Sequence, residues 1–317
     1  MKKTIAAFSV LTLAAAMFLQ AAAPAPAVLT PDAVVMQVAD GLAAGQPIVV
    51  WQAMPASYQA DVTELVHTFA DRMDPDIWNR TFGVMGKVSL VMTEKKDYIL
   101  DNPMFAQQGD KIQEVQQQWD RIAFFLSTLS KSDLGDIDRL RTANPEAFLA
   151  GTGSALMSEF LTMAATRQSD NPWESNFIQS MSNIQATLIS INGDFAVVNI
   201  TGPDNKSKDV NFVKVEGKWV PEEMALEWPD VIEEARSNLA SLQPERLSEN
   251  KDQVLAALMT VDSSLDQMLS AQTYTDFNNA LQGLIGAGMM HFMTLQQELE
   301  NREADASQPS RERRPEN

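Results

Sequence analysis

Thr187-Leu188-Ile189-Ser190-Ile191-Asn192-Gly193-Asp194-Phe195-Ala196-Val197-Val198-Asn199-Ile200 is the stretch that decides the fold. Two runs rich in β-branched residues flank Asn192-Gly193-Asp194, where Asn and Gly are expected to supply the positive φ of a tight hairpin. A polar loop from Gly202 to Lys208 leads into Val210-Asn211-Phe212-Val213-Lys214-Val215, and Glu216-Gly217 turns the chain into Lys218-Trp219-Val220. Short turns join antiparallel neighbours, so residues 186–221 read as a meander of three or four strands.

On the N-terminal side of this sheet the apolar spacing is helical. Val62, Leu65, Val66, Phe69 and Met73 follow i, i+3, i+4, i+7 and i+11; Trp78, Phe82 and Met85 begin a second stripe, and Ile112, Val115, Trp119, Ile122 and Leu126 a third. Thr30-Pro31, Asp74-Pro75, Asn144-Pro145 and Asn171-Pro172 each read as an N-cap followed by proline at the first helical position, where its missing N–H costs nothing. Residues 30–183 are therefore expected to be mostly helical. Helical spacing resumes at Val231 and runs, with a break at Gln243-Pro244, to about Leu299. The expected fold class is α+β, mainly helical, with one antiparallel meander and a C-terminal helical segment over 230–299 packing on the 28–229 domain. Residues 300–317 lack apolar periodicity and read as a solvated tail.

The first residues suggest a compartment. Lys2 and Lys3 precede a short apolar run from Thr4 to Leu19, and Ala25-Pro26-Ala27 before Val28 offers small residues for cleavage, so residues 1–27 read as a signal peptide. A periplasmic or secreted protein is expected. The chain has no cysteine, so neither a cysteine-borne lipid anchor nor disulfides are available to it. No later run is long and apolar enough to span a bilayer. Of 317 residues 42 are acidic and 24 basic; removing Lys2 and Lys3 leaves 22 basic groups and a net charge of −20. Nucleic-acid binders draw affinity from clustered Lys and Arg, and the acidic excess repels anionic groups, so DNA, RNA and anionic lipid are poor first candidates as partners.

Thr30-Pro31-Asp32-Ala33-Val34-Val35 through Gly45-Gln46-Pro47, with Trp51, Met54-Pro55 and Tyr58, resembles the first helices of nuclear transport factor two-like (SnoaL-like) domains. Asn192 to Val198 and Phe212 to Pro221 are similar to the sheet of secreted members of that superfamily. Together these cover about a quarter of the chain. The resemblance implies a curved sheet with a helix across its concave side, enclosing a pocket. It implies no particular reaction, since the family hosts enzymes and binding domains alike.

His67 has Glu64 and Asp71 within one helical turn, an arrangement that orients a general base, yet it falls opposite the Val62, Val66 and Phe69 stripe, so an exposed histidine is expected. His291 lies among Met289, Met290 and Met293, which invites a copper reading. It also aligns with Phe277, Leu281, Leu284, Gly288 and Leu295, a seam for helix packing or self-association over 277–295. Asp133, Asp136 and Asp138 lack the spacing of a calcium loop, and Asp133 is expected to cap a short helix. Gly151-Thr152-Gly153-Ser154 has no following lysine and reads as a turn, not a phosphate loop.

Phe212, Trp219 and Trp228 lie on or just after the sheet and are the candidate ligand-binding residues, either lining an apolar pocket or filling the sheet–helix core. No metal site or cofactor is expected. The leading expectation is a non-catalytic envelope protein that binds a protein partner or a small apolar ligand. The alternative is a hydrolase or isomerase working with carboxylates in a cone-like pocket.

Overall fold

The computed structural model describes residues 29–103, 110–166, 183–202, 205–241 and 251–286, with the backbone alone at 110–114 and 166. The chain is α+β, mainly helical with one four-stranded sheet. Its helices are α1 (Pro31–Ala43), α2 (Ile48–Ala53), α3 (Ala56–Arg72), α4 (Pro75–Glu94), α5 (Lys96–Leu100) and α6 (Asp110–Lys131). A 3₁₀ turn (Asp133–Gly135), α7 (Ile137–Leu140), α8 (Pro145–Phe148), a π turn (Leu149–Gly153) and α9 (Ser154–Thr166) follow. Next come strands β1 (Gln185–Asn192), β2 (Phe195–Thr201), β3 (Ser207–Val215) and β4 (Lys218–Pro221), then α10 (Glu222–Ser241), α11 (Lys251–Ser270) and a helical stretch over 274–286. The signal peptide, the Asn171-Pro172 helix start, His291 with its methionines, and the tail lie outside the described residues.

The sheet is an antiparallel meander in the order β1-β2-β3-β4. Asn192 pairs with Phe195 across a two-residue loop in which Gly193 alone has positive φ, +62°. That places the glycine at the first loop position, as in a type II′ turn, and Asn192 stays in the strand instead of supplying positive φ as expected. The β3–β4 turn is the mirror-image type I′, with Glu216 at +50° and Gly217 at +82°. A bulge between Leu188 and Ser190 shifts the β1–β2 register and leaves Ile189 and Ile191 half exposed.

One face of the sheet carries Ala196, Val198, Phe212 and Trp219, buried against Val34 and Val35 of α1. A second core joins distant parts of the chain: Val91, Ile99 and Trp119 meet Leu265, Met268, Ala271, Phe277 and Ala280. A third gathers Ala70, Ile137 and Leu140, with Val66, Phe69, Met73 and Trp78 packed against it. Three polar side chains inside these contacts find carbonyl partners: Trp119 Nε1 donates to Met92 O at 2.7 Å, Trp78 Nε1 to Leu134 O at 2.7 Å, and Ser89 Oγ to Ala123 O at 2.8 Å.

Several local expectations change. Asp74 and Asn144 cap α4 and α8 as the sequence suggests, but Thr30 makes no side-chain cap bond. Ser132 caps the 3₁₀ turn and Asp136 caps α7, so Asp133 is the first residue of its turn and not a cap. Gly151 to Gly153 belong to the π turn between α8 and α9, with Ser154 Oγ donating to Leu149 O at 3.0 Å, so the expected turn is helical and continuous with its neighbours. Helix α10 starts at Glu222, ahead of Val231, and runs through Pro229; the proline removes the donor for the Ala225 carbonyl. Val115 is exposed, whereas Trp119 of the same predicted stripe is buried.

Candidate functional site

Between α1, α2, the strands β2 to β4 and the start of α10 lies a cavity of about 310 Å³. Its walls come from Val34, Val35, Val38, Ala39 and Leu42 on one side of α1, and from Ile200, Val210, Phe212 and Trp219 on the facing sheet. Val50, Ala53 and Met54 of the α2 region, Met224 of α10, and Ile184, Val220 and Pro221 also line it, and every lining residue is apolar. The local reason is periodicity: positions 34, 35, 38, 39 and 42 follow i, i+1, i+4, i+5 and i+8 along α1, one face of a helix. Positions 210 and 212 share one face of β3.

Of the three expected ligand residues, the structure brings Phe212 and Trp219 together on the cavity wall. Trp228 is elsewhere: it stacks on Tyr58 with ring centroids 4.0 Å apart and planes 7° from parallel, and its Nε1 donates to Asp61 Oδ2 at 2.9 Å. Arg236 Nη2 holds the other oxygen of Asp61 at 3.0 Å and Glu64 Oε2 at 2.7 Å. This cluster ties α3 to α10. Burial raises the Tyr58 hydroxyl above its ordinary pKa, helped by the negative charges of Glu216 and Asp61.

The cavity rim has its own polar fittings. Lys214 Nζ sits 4.5 Å from the centre of the Trp219 ring and 3.9 Å from Asp194 Oδ1. Lys218 Nζ donates to Gln52 O at 2.8 Å, fastening β4 to α2. In the β3–β4 turn Glu216 Oε2 accepts the Ser57 N–H at 3.1 Å, capping α3, whose own N-cap residue is Pro55 and makes no side-chain bond. That hydrogen bond is the main reason the Glu216 carboxyl titrates below its usual range.

The other candidates have structural partners. His67 is half buried, not exposed: its Nε2 lies 2.9 Å from Ala143 O, and because a carbonyl only accepts, the ring donates there. Asp71 faces Arg141, with Nε 3.5 Å from Oδ1. Asp133, Asp136 and Asp138 are drawn to Arg139 and Arg141. Among the described residues there is no group of three His, Cys, Asp or Glu side chains placed to hold a metal ion, and no helix long and apolar enough to cross a membrane. Phe277 is fully buried, and Leu281 and Leu284 pack against the same core, so the described part of the 277–295 seam turns inward.

Apart from Phe212 and Trp219, the cavity lining was missed by sequence reasoning, although the α1 periodicity was present as a signal. No family model, curated protein or solved structure matches the chain.

Proposed function

We propose that this chain is an exported envelope protein that holds a small apolar ligand between α1 and the sheet. The observation that supports this is the cavity itself: it is enclosed on one side by a helix and on the other by a sheet, and no titratable group lines it. A volume of about 310 Å³ lies at the lower end of the ~300–1,000 Å³ typical of small-molecule sites. Such a wall rewards each methylene transferred from water with roughly 0.8 kcal/mol but offers no acid, base or nucleophile. The carboxylate-enzyme alternative has less support, since Asp32 in the first turn of α1 is not among the lining residues. The SnoaL-like resemblance belongs to the same proposal, supported by α1 lying against the face of the sheet.

A protein partner is the second reading. It is favoured by an apolar groove of about 660 Å³ between α3, α4 and α10, lined by Leu65, Phe69, Trp78, Phe82 and Leu239.

The test is titration of the mature protein with the neutral fluorophore N-phenyl-1-naphthylamine, whose emission rises in a dry site. Saturable binding is expected, lost in Ala39→Phe and weakened in the milder Val38→Phe, with circular dichroism confirming that both fold. Saturable binding that neither folded variant alters would overturn the proposal.

A further inference from the structure

The face of β3 that lines the cavity continues beyond it. Val210 and Phe212 are lining residues, and the next position of the same parity toward the start of the strand is Lys208. Lys208 pairs directly with Ile200 of β2, itself a lining residue, and Ile200 pairs with Ala186 of β1. Side chains opposed across an antiparallel pair stand about 5 Å apart on one face. The ammonium of Lys208 therefore rises beside the Ile200–Val210 end of the apolar wall and is exposed there.

At the other end of the same face Lys214 is already engaged by the Trp219 ring and Asp194. The Lys208 ammonium has no ion-pair or hydrogen-bond partner among the described residues. The surrounding stretch is locally basic: residues 206–218 hold four lysines and two acidic residues, Asp209 and Glu216, in a chain of formal charge −18. Asp209 is turned to the opposite face, where Asn199 Nδ2 donates to it at 2.7 Å. Charges farther away on the acidic surface are screened within about 8 Å at physiological salt.

We propose that the cavity takes an anionic single-chain amphiphile, its alkyl chain between α1 and the sheet and its carboxylate or similar head at Lys208. This rests on the proposed apolar-ligand reading and adds the head-group chemistry. The chain supplies most of the affinity, and Lys208 sets the preference among head groups, because an exposed ion pair is worth at most about 1 kcal/mol.

The experiment compares dodecanoate, 1-dodecanol and dodecyltrimethylammonium below their micellar concentrations, each competing with N-phenyl-1-naphthylamine on the wild-type protein and on Lys208→Glu. Dodecanoate is expected to bind tightest, to weaken roughly fivefold in Lys208→Glu, and to weaken with added salt; 1-dodecanol should be unchanged by the substitution. Lys208→Gln should fall between the two. If all three amphiphiles bind alike and Lys208→Glu changes nothing, the head-group assignment is wrong while the apolar cavity stands. If none displaces the fluorophore while Ala39→Phe still abolishes its binding, the amphiphile assignment falls and the apolar cavity stands; if Ala39→Phe leaves fluorophore binding unaltered as well, both readings fall.

Discussion

Gly41 shows how much one side chain decides here. It lies inside α1, where a glycine ordinarily costs 0.5–1 kcal/mol relative to alanine, and it is buried against Val49 of α2. A methyl group added at Gly41 would meet Val49 Cγ2 at 2.7 Å and Cβ at 3.0 Å. Valine is stiff about χ1 and Val49 is itself buried, so the clash cannot be relieved by a rotamer change. Gly41→Ala is expected to lose about 1–3 kcal/mol through overpacking, outweighing the helix gain. Urea denaturation would read this, and an unchanged or raised midpoint would show that α1 and α2 can separate at little cost. Nothing at Gly41 was legible from the sequence, because the neighbour that makes it necessary is on another helix. The same holds for Trp228: placed near the sheet by its number, it is drawn away by Tyr58 and Asp61, more than 160 residues earlier. Phe212 and Trp219, whose strand could be read locally, reached the cavity wall.

Among the elements, α4 has a doubly employed N-cap. Asp74 Oδ1 accepts the N–H groups of Asp76 and Ile77 at 3.0 and 3.1 Å, and Oδ2 lies 2.8 Å from Nζ of Lys251, the first residue of α11. Burial by itself would raise the Asp74 carboxyl, but the bond from Lys251 and the two backbone donors outweigh it and hold the group below its usual range. Lys251 is raised in turn, first by its bond to Asp74 and then by Asp76. A depressed carboxyl contributes stability that is fully present above the unfolded value of about 3.9 and disappears as pH falls through the folded one. Asp74→Asn should keep the cap, since asparagine caps as well as aspartate, while removing the charge. Its urea midpoint is expected to be lower at pH 7 and to fall less steeply between roughly pH 5 and 2; an acid limb parallel to that of the wild type would place the linkage elsewhere. This N-cap and that of Asn144 were legible because caps are local, one side chain and the next two amides. The π turn was not: glycines advertise a break, but an i→i+5 step leaves no composition of its own.

The whole molecule is held by contacts that close over long stretches of chain. Phe277, fully buried, completes a core whose other members include Val91 and Trp119, and Lys95 and Tyr98 reach the carbonyls of Ala271 and Gln272 at 2.8 and 3.2 Å. Phe277→Ala is expected to cost about 3–5 kcal/mol and to lower the stability of the α4–α6–α11 assembly; a loss under 1 kcal/mol would mean that residues 274–286 are a detachable appendage. The α+β class and the strand order were legible, since period-two runs between tight turns specify a meander. Beyond Phe212 and Trp219 the cavity's walls were not, because they come from positions 34 to 224, and the residues alone do not report how far apart a helix and a sheet come to rest. The Glu216 cap on α3 belongs to this scale as well, joining residues 159 apart. A chain is made from its N-terminus forward, at about 5–20 residues per second. The residues of α3 are thus made several seconds before the one that finishes the helix's first turn, and the synthesis of the helix and its completion are separate events in time.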